Sequence, residues 1–173
     1  MVLASVPMWL ALCLFMLPIR AYAYEDQVGL AAQVGYSGIR WQPNPQSGLA
    51  VEVNTDLGIA QAWAARGFVG YAYHPETGGP AHTVLWGTEF VYMLDVLIWV
   101  PFLGGGMDAW VHAHGDRVLV RPAVHLVVGV DYLAARDWSL GLNARLLSVA
   151  PAVADYRFTH LWVTAGVRVV LDD

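Results

Sequence analysis

Residues 120–132 read VRPAVHLVVGVDY, and this stretch decides the fold. Large apolar residues take alternate positions there. The positions between them hold Arg121, Ala123, His125, Gly129 and Asp131. Alternation with a period of two is typical of a β-strand whose two faces meet different surroundings, whereas an amphipathic helix places its apolar residues three and four apart. The stretch therefore predicts a strand with one apolar face and one polar face.

The same alternation recurs along the chain and predicts eight strands. These are Val28–Tyr36, Leu49–Leu57, Trp63–Tyr73, Thr83–Leu94, Val96–Val111, Val120–Tyr132, Trp138–Leu147 and about Thr159–Leu171. Their length is close to the ~9–11 residues with which a tilted strand crosses a bilayer. The connections 38–48 and 74–82 are long and polar, whereas those near Asp95 and at 134–137 are tight. Long loops at one end and short turns at the other indicate an all-β, antiparallel up-and-down barrel.

The composition excludes several classes of protein. Hydrophobic residues make up 57% of the 173 residues and charged residues only 13%, where about 25% charged is usual. The net charge of −5 and the lack of a basic cluster exclude a nucleic-acid partner. Disorder requires low hydrophobicity and is excluded too. The composition is that of a membrane protein, yet only the beginning of the chain resembles an apolar helix.

The first 23 residues predict a secretory signal peptide. Val2–Ile19 is almost wholly apolar, and Arg20 and the small-residue pattern Ala21-Tyr22-Ala23 follow it. Such a pattern marks a cleavage site, so we expect residues 24–173 to form the mature barrel domain. Cys13 is the only cysteine and lies in the leader. The mature chain can therefore form no disulfide.

The polar face of the strands decides which side of the barrel meets lipid. A soluble lipocalin-like barrel is apolar inside, whereas a membrane barrel is apolar outside. The polar face mixes many Gly and Ala with acids and arginines in nearly equal number, which suits a narrow lumen better than a solvated surface. We therefore predict a lumen closed by paired charges. The predicted members of this lumen network are Glu52, Asp56, Arg66, Glu89, Asp108, Arg121, His125, Asp131, Arg145 and Arg168.

Four stretches carry a resemblance to a known group. They are Gly87–Val96, Val100–Gly106, Gly129–Tyr132 and Trp138–Gly141. They resemble the strand-turn-strand phrases of the small eight-stranded outer-membrane barrels of Gram-negative bacteria, the group that includes OmpX and the membrane domain of OmpA. The resemblance covers nearly the whole mature chain. It implies a monomer in the outer membrane, with lipid as its partner, no cofactor and no catalysis.

The histidines carry the only hints of site chemistry. His112 and His114, two residues apart, could hold a metal ion together with Asp116. Scattered polar loop residues are the favoured alternative, because no ligand set with metal-site spacing accompanies them. His125 faces inward and could act in catalysis, but no Ser is placed to help it. Its favoured role is that of a lumen residue bonded to a carboxylate, so we predict neither a metal site nor a catalytic one.

Three functions remain open from the sequence. The first is an outer-membrane barrel with a closed lumen and a structural, envelope or surface-interaction role. The second is a periplasmic lipocalin-like carrier of an apolar ligand. The third is a barrel enzyme that modifies lipid. All three would use the same strand alternation, and the direction in which the apolar face points separates the carrier from the other two.

Overall fold

The computed structural model describes residues 27–40, 45–76, 79–94, 98–149 and 159–171. The predicted leader and Cys13 lie outside the described residues. Within the described residues, no helix is long and apolar enough to cross a membrane.

Eight antiparallel strands follow one another around a closed barrel, each paired with its neighbours in sequence, and the first pairs with the last. The strands are β1 (Val28–Ile39), β2 (Gln46–Ala60), β3 (Trp63–His74), β4 (Ala81–Met93), β5 (Trp99–His114), β6 (Arg117–Leu133), β7 (Trp138–Val149) and β8 (Thr159–Leu171). Closure leaves no open sheet edge along the paired length, which satisfies the backbone where no water is available. The predicted fold class is confirmed.

The strands extend further than the sequence pattern predicts at one end of the barrel. This end, called the loop end, holds the connections 40–45, 75–80 and 115–116; the opposite end, called the turn end, holds 61–62, 94–98 and 134–137. His74 and His82, predicted in a loop, belong to β3 and β4. Small and polar residues interrupt the alternation there, but backbone pairing does not depend on side chains. The connection between β5 and β6 has only two residues, and Gly115 accommodates it with a φ of 56°.

The barrel is apolar outside and charged inside. Glu52 and Arg145 are 2% and 0% exposed, whereas Val51, Leu126 and Leu142 are 50%, 68% and 50% exposed. Neighbours along a strand thus point to opposite sides of the wall. The predicted directions of the two faces are confirmed, and they are the reverse of those in a soluble barrel.

Aromatic side chains border the apolar outer surface at both ends. At the turn end, the rings of Trp99 and Tyr132 lie 4.8 Å apart, centroid to centroid. At the loop end, Tyr73 packs against His82 with centroids 5.7 Å apart. Along β3, Trp63 and Tyr73 are ten residues apart. At a rise of ~3.3 Å per residue and a tilt of ~40°, this spacing is about 25 Å of height, the thickness of the apolar band of outer-membrane barrels.

Candidate functional site

The interior of the barrel is stacked in layers along its axis. From the turn end, an apolar cluster that includes Val91 and Phe102 comes first, and a layer of charged side chains follows. A second apolar cluster, which includes Phe68 and Trp162, lies above the charges. A layer of polar side chains closes the loop end. Apolar side chains therefore separate the charged layer from the loop end, whereas its members Asp56 and Arg168 reach toward the turn end.

Arg145 is the centre of the charged layer. Its Nη1 donates to Glu52 Oε2 at 2.7 Å, and its Nε donates to Glu89 Oε2 at 3.0 Å. Its Nη2 lies 3.3 Å from a second oxygen of each carboxylate. None of the three side chains is accessible to solvent. One guanidinium thus bridges two carboxylates carried by β2 and β4.

The network continues from Glu89 toward the turn end. Arg66 Nη1 donates to Glu89 Oε1 at 3.0 Å, and Arg66 Nε also donates to Asp56. Arg168 Nε lies 2.7 Å from Asp56 Oδ2, and Arg168 pairs with Asp131 as well. Guanidinium and carboxylate groups therefore alternate in one connected chain. Such pairing is what makes buried charge tolerable, because an unpaired buried charge costs several kcal/mol, on the order of 3–5.

His125 links one further acid to the network. Its Nδ1 lies 2.8 Å from Asp108 Oδ2, and its Nε2 lies 2.8 Å from Glu89 Oε2. An imidazolium, with a proton on each nitrogen, donates to both carboxylates, which is the arrangement that these two distances fit. This placement agrees with a lumen role for His125 rather than a catalytic one. Five carboxylates thus face three arginines and one imidazolium in the layer.

Arg121 is the one predicted member that stands apart. It is partly exposed near the loop end of β6 and makes no ion pair with any residue that the structure describes. Its alternation matches that of His125, but it lies four residues further along the strand. Alternation predicts the side of the wall on which a residue lies but not its position along the barrel axis. His125 therefore supplies the fourth cation of the layer in place of Arg121.

A phenylalanine ring covers each of two guanidinium groups of the charged layer. The guanidinium of Arg145 lies 3.9 Å from the ring centroid of Phe68, and that of Arg66 lies 4.8 Å from the centroid of Phe102. Each contact places a cation over an aromatic face. Gly129 makes room for Phe102, because a Cβ at this position would overlap the ring. Neither ring was predicted as part of the lumen, although each lies at an inward position of its strand.

A small cavity opens below the charged layer at the turn end. It has a volume of about 40 Å³ and is lined by Asp56, Arg168, Gly29, Gly58 and other neighbouring residues. A water molecule occupies about 30 Å³ in the liquid, so the cavity holds about one. It is too small for an organic ligand.

Three histidines and two hydroxyl groups form the layer at the loop end. Ser37 Oγ lies 2.6 Å from His160 Nε2, and Thr83 Oγ1 lies 3.0 Å from His112 Nδ1 and 3.2 Å from His74 Nε2. All five side chains are buried. We call this group the histidine layer. His74, predicted in the connection 74–82, and His112, considered as a metal ligand, therefore both lie inside the barrel.

Ser37 is shared between two histidines of the layer. Trp110 Nε1 donates to His160 Nδ1 at 3.1 Å, so this nitrogen is the unprotonated one. The ring proton of His160 is therefore on Nε2, which donates to Ser37. His74 Nε2 lies 3.4 Å from the Ser37 oxygen, so the hydroxyl can accept from His160 and donate to His74.

The two histidines considered as metal ligands, His112 and His114, lie in two different environments. His112 is buried in the histidine layer, whereas His114 is exposed and lies 3.8 Å from Glu76. Among the described residues, no three His, Cys, Asp or Glu side chains form a group that could hold a metal ion.

No protein-family model and no curated protein matches this sequence. Among solved structures, the chain is similar to Neisserial surface protein A (NspA), with a TM-score of 0.73 at 13% identity over 82% of this chain and 96% of that one. It is also similar to the outer membrane protein OprG from Pseudomonas aeruginosa, with a TM-score of 0.61 at 10% identity over 87% and 100% of the two chains. The N-terminal β-barrel domain of OprF from the same organism gives 0.56 at 10% identity over 85% and 98%. The chain therefore has the fold of the small eight-stranded outer-membrane barrels.

Proposed function

We propose that residues 24–173, once the leader 1–23 is removed, form an integral barrel of the outer membrane. The observation that carries this proposal is the band of exposed apolar side chains, about 25 Å high, between two aromatic borders around a charged interior. Water solvates such an apolar band poorly, whereas lipid acyl chains are as apolar as the band itself. The similarity to outer-membrane barrels in fold supports the same location.

A lipocalin-like carrier is disfavoured by the same arrangement. Such a carrier would need an apolar cavity around the barrel axis. The axis is instead occupied by ion pairs that include Arg145 with Glu52 and Glu89. An apolar ligand would have to displace these pairs and leave charges buried without partners.

The lumen is closed rather than conducting. Buried ion pairs fill its middle, and Phe68 and Phe102 cover them from either side. An eight-stranded barrel encloses just enough room for side chains. The function therefore depends on the outer wall and the exposed loops, as in a structural or surface-interaction protein of the envelope. We propose no catalytic role, because the inward-facing His125 has a carboxylate at each of its ring nitrogens.

Fractionation and gel mobility test the membrane location. We expect the protein in the outer-membrane fraction, soluble only with detergent, and with a mobility on gels that changes when the sample is boiled. Purification from the periplasm in plain buffer would contradict the proposal.

Two further measurements test the closed lumen and the absence of catalysis. Planar bilayers containing the protein should show no conductance steps, and the lipid profile of cells should not change when the chain is deleted.

A further inference from the structure

The outer wall is not uniform around the barrel. On strands β1–β4 it forms a shallow groove of about 490 Å³. Apart from Tyr71, the outward side chains that line it are small: Ala32, Val34, Val51, Val53, Val69 and Val84. The opposite wall mixes valines with longer side chains, among them Leu103, Met107, Leu126 and Leu142. The groove therefore lies where small and β-branched side chains occupy four neighbouring strands without a Leu or Met between them.

A groove in this position must be filled by something apolar. Val69 is six residues from Trp63 along β3, which at ~3.3 Å per residue and a ~40° tilt places it about 15 Å above the turn-end border, near the middle of the band. Water does not fill an apolar depression at that depth, and an empty one loses the dispersion contacts of its lining atoms. The volume lies in the ~300–1,000 Å³ range of small-molecule sites.

Polar groups lie at the upper margin of the groove. Tyr71 belongs to its lining, and the Tyr71 hydroxyl lies 2.7 Å from His82 Nδ1. Beside it, the Tyr36 hydroxyl lies 2.9 Å from Ser47 Oγ. Tyrosines at such a border have an apolar ring in the hydrocarbon and a hydroxyl at the level of the lipid ester groups. An apolar groove below a hydrogen-bonding margin matches an acyl chain that ends in an ester.

We propose that this groove binds one ester-linked acyl chain of a membrane lipid. The chain lies against Val53 and Val69, and its ester group lies beside Tyr71 and His82. The inference depends on the proposed membrane location. Lipid tails are as apolar as the wall itself, so the preference for this site comes from close packing and the polar margin rather than from transfer out of water.

Native mass spectrometry of the full-length protein, purified from membranes in mild detergent, tests this inference. The probe is dipalmitoyl phosphatidylethanolamine, and the readout is the fraction of protein that retains one lipid after the detergent is removed. Val69→Phe fills the groove, and we expect it to lower retention about fivefold to tenfold. The matched control is Val128→Phe on β6, because Val128 is 57% exposed and Val69 is 59% exposed. The control should retain lipid as the unsubstituted protein does.

Equal losses in the two variants, or no loss in Val69→Phe, would overturn the inference, because the lipid would then be bound anywhere on the wall. An unsubstituted dimer that Val69→Phe converts to a monomer would also overturn it, because a second copy would then cover the groove. The heat-dependent gel mobility of each variant reports whether the barrel is folded. If the unsubstituted protein lacks that mobility shift and needs no detergent, the proposed membrane location fails. If the protein shows the mobility shift and needs detergent, but the two variants retain lipid equally, only the acyl-chain site fails.

Discussion

Replacing Arg145 by Met should destabilise the barrel more than any surface change. The substitution keeps an apolar stem but removes the four hydrogen bonds that Arg145 donates to Glu52 and Glu89. Two unit charges about 4 Å apart attract one another by about 4 kcal/mol at an effective dielectric constant of ~20. Breaking a buried pair by removing one partner costs about 3–5 kcal/mol, and we expect a loss in this range.

The two carboxylates lose different numbers of partners in this variant. Glu89 keeps Arg66 and His125 as partners. Among the residues that the structure describes, Glu52 keeps the amide of Asn54 as its remaining side-chain partner, with Nδ2 3.3 Å away. The unpaired charge is therefore mainly that of Glu52, and removing it should recover stability. We expect the double variant Glu52→Gln/Arg145→Met to be about 2 kcal/mol more stable than Arg145→Met alone, since contacting residues are energetically coupled.

Urea unfolding of the purified barrel in detergent micelles, followed by tryptophan fluorescence, measures these differences. Arg121→Met is the control, because Arg121 makes no ion pair with a described residue, and we expect it to change stability by no more than about 0.5 kcal/mol. The reasoning is refuted if Arg145→Met and Arg121→Met have the same effect. It is also refuted if the double variant is no more stable than Arg145→Met, because the unpaired Glu52 would then not be the source of the loss.

Two further predictions test the packing of the lumen and the direction of the wall by the same unfolding measurement. Gly129→Val should lower the free energy of unfolding by about 1–3 kcal/mol because the added Cβ overlaps Phe102. Gly67→Val should change it little, because the nearest atom to its added Cβ is 3.7 Å away on the outer face. Equal losses would count against tight packing around Phe102. Leu126 lies near the middle of the apolar band, and Leu126→Arg should lower the free energy of unfolding in lipid by about 2–4 kcal/mol. Val118→Arg, eight residues nearer the loop end, should lower it by about 0–1 kcal/mol. A Leu126→Arg variant as stable as Val118→Arg would contradict a lipid-facing wall.

The sequence was sufficient to predict the number of strands and the side of the wall on which each charge lies. Both follow from a period of two, which is local and needs no partner strand. The pairing of charges could not be predicted in this way. Arg145 and Glu52 are separated by 93 positions, and their contact depends on the register and tilt of the intervening strands. The alternation placed Arg121 and His125 on the same side of the wall, but only the register shows that Arg121 lies outside the layer.

The histidine layer was missed for a related reason. Ser37 and His74 continue the inward alternation of their strands, which would have been the signal for them. His74 was predicted in the loop 74–82, and Ser37 lies between the predicted first strand and the loop 38–48. Both loops contain Gly and Pro, which are poor strand formers, a preference that describes isolated side chains. In a closed barrel, the neighbouring strands determine where pairing ends. Local propensity therefore underestimates strand length at the end where polar side chains face inward.

The geometry of the charged layer suits arginine, the residue type of all nine basic residues of the chain. Arg145 binds two carboxylates through separate nitrogens, and its flat face also covers Phe68. A lysine ammonium is a compact point charge without a planar fork, so it cannot meet two carboxylates edge-on and an aromatic ring face-on at once. Because five acids share this lumen, each cation in it has to bridge two of them, as Arg66, Arg145, Arg168 and His125 all do.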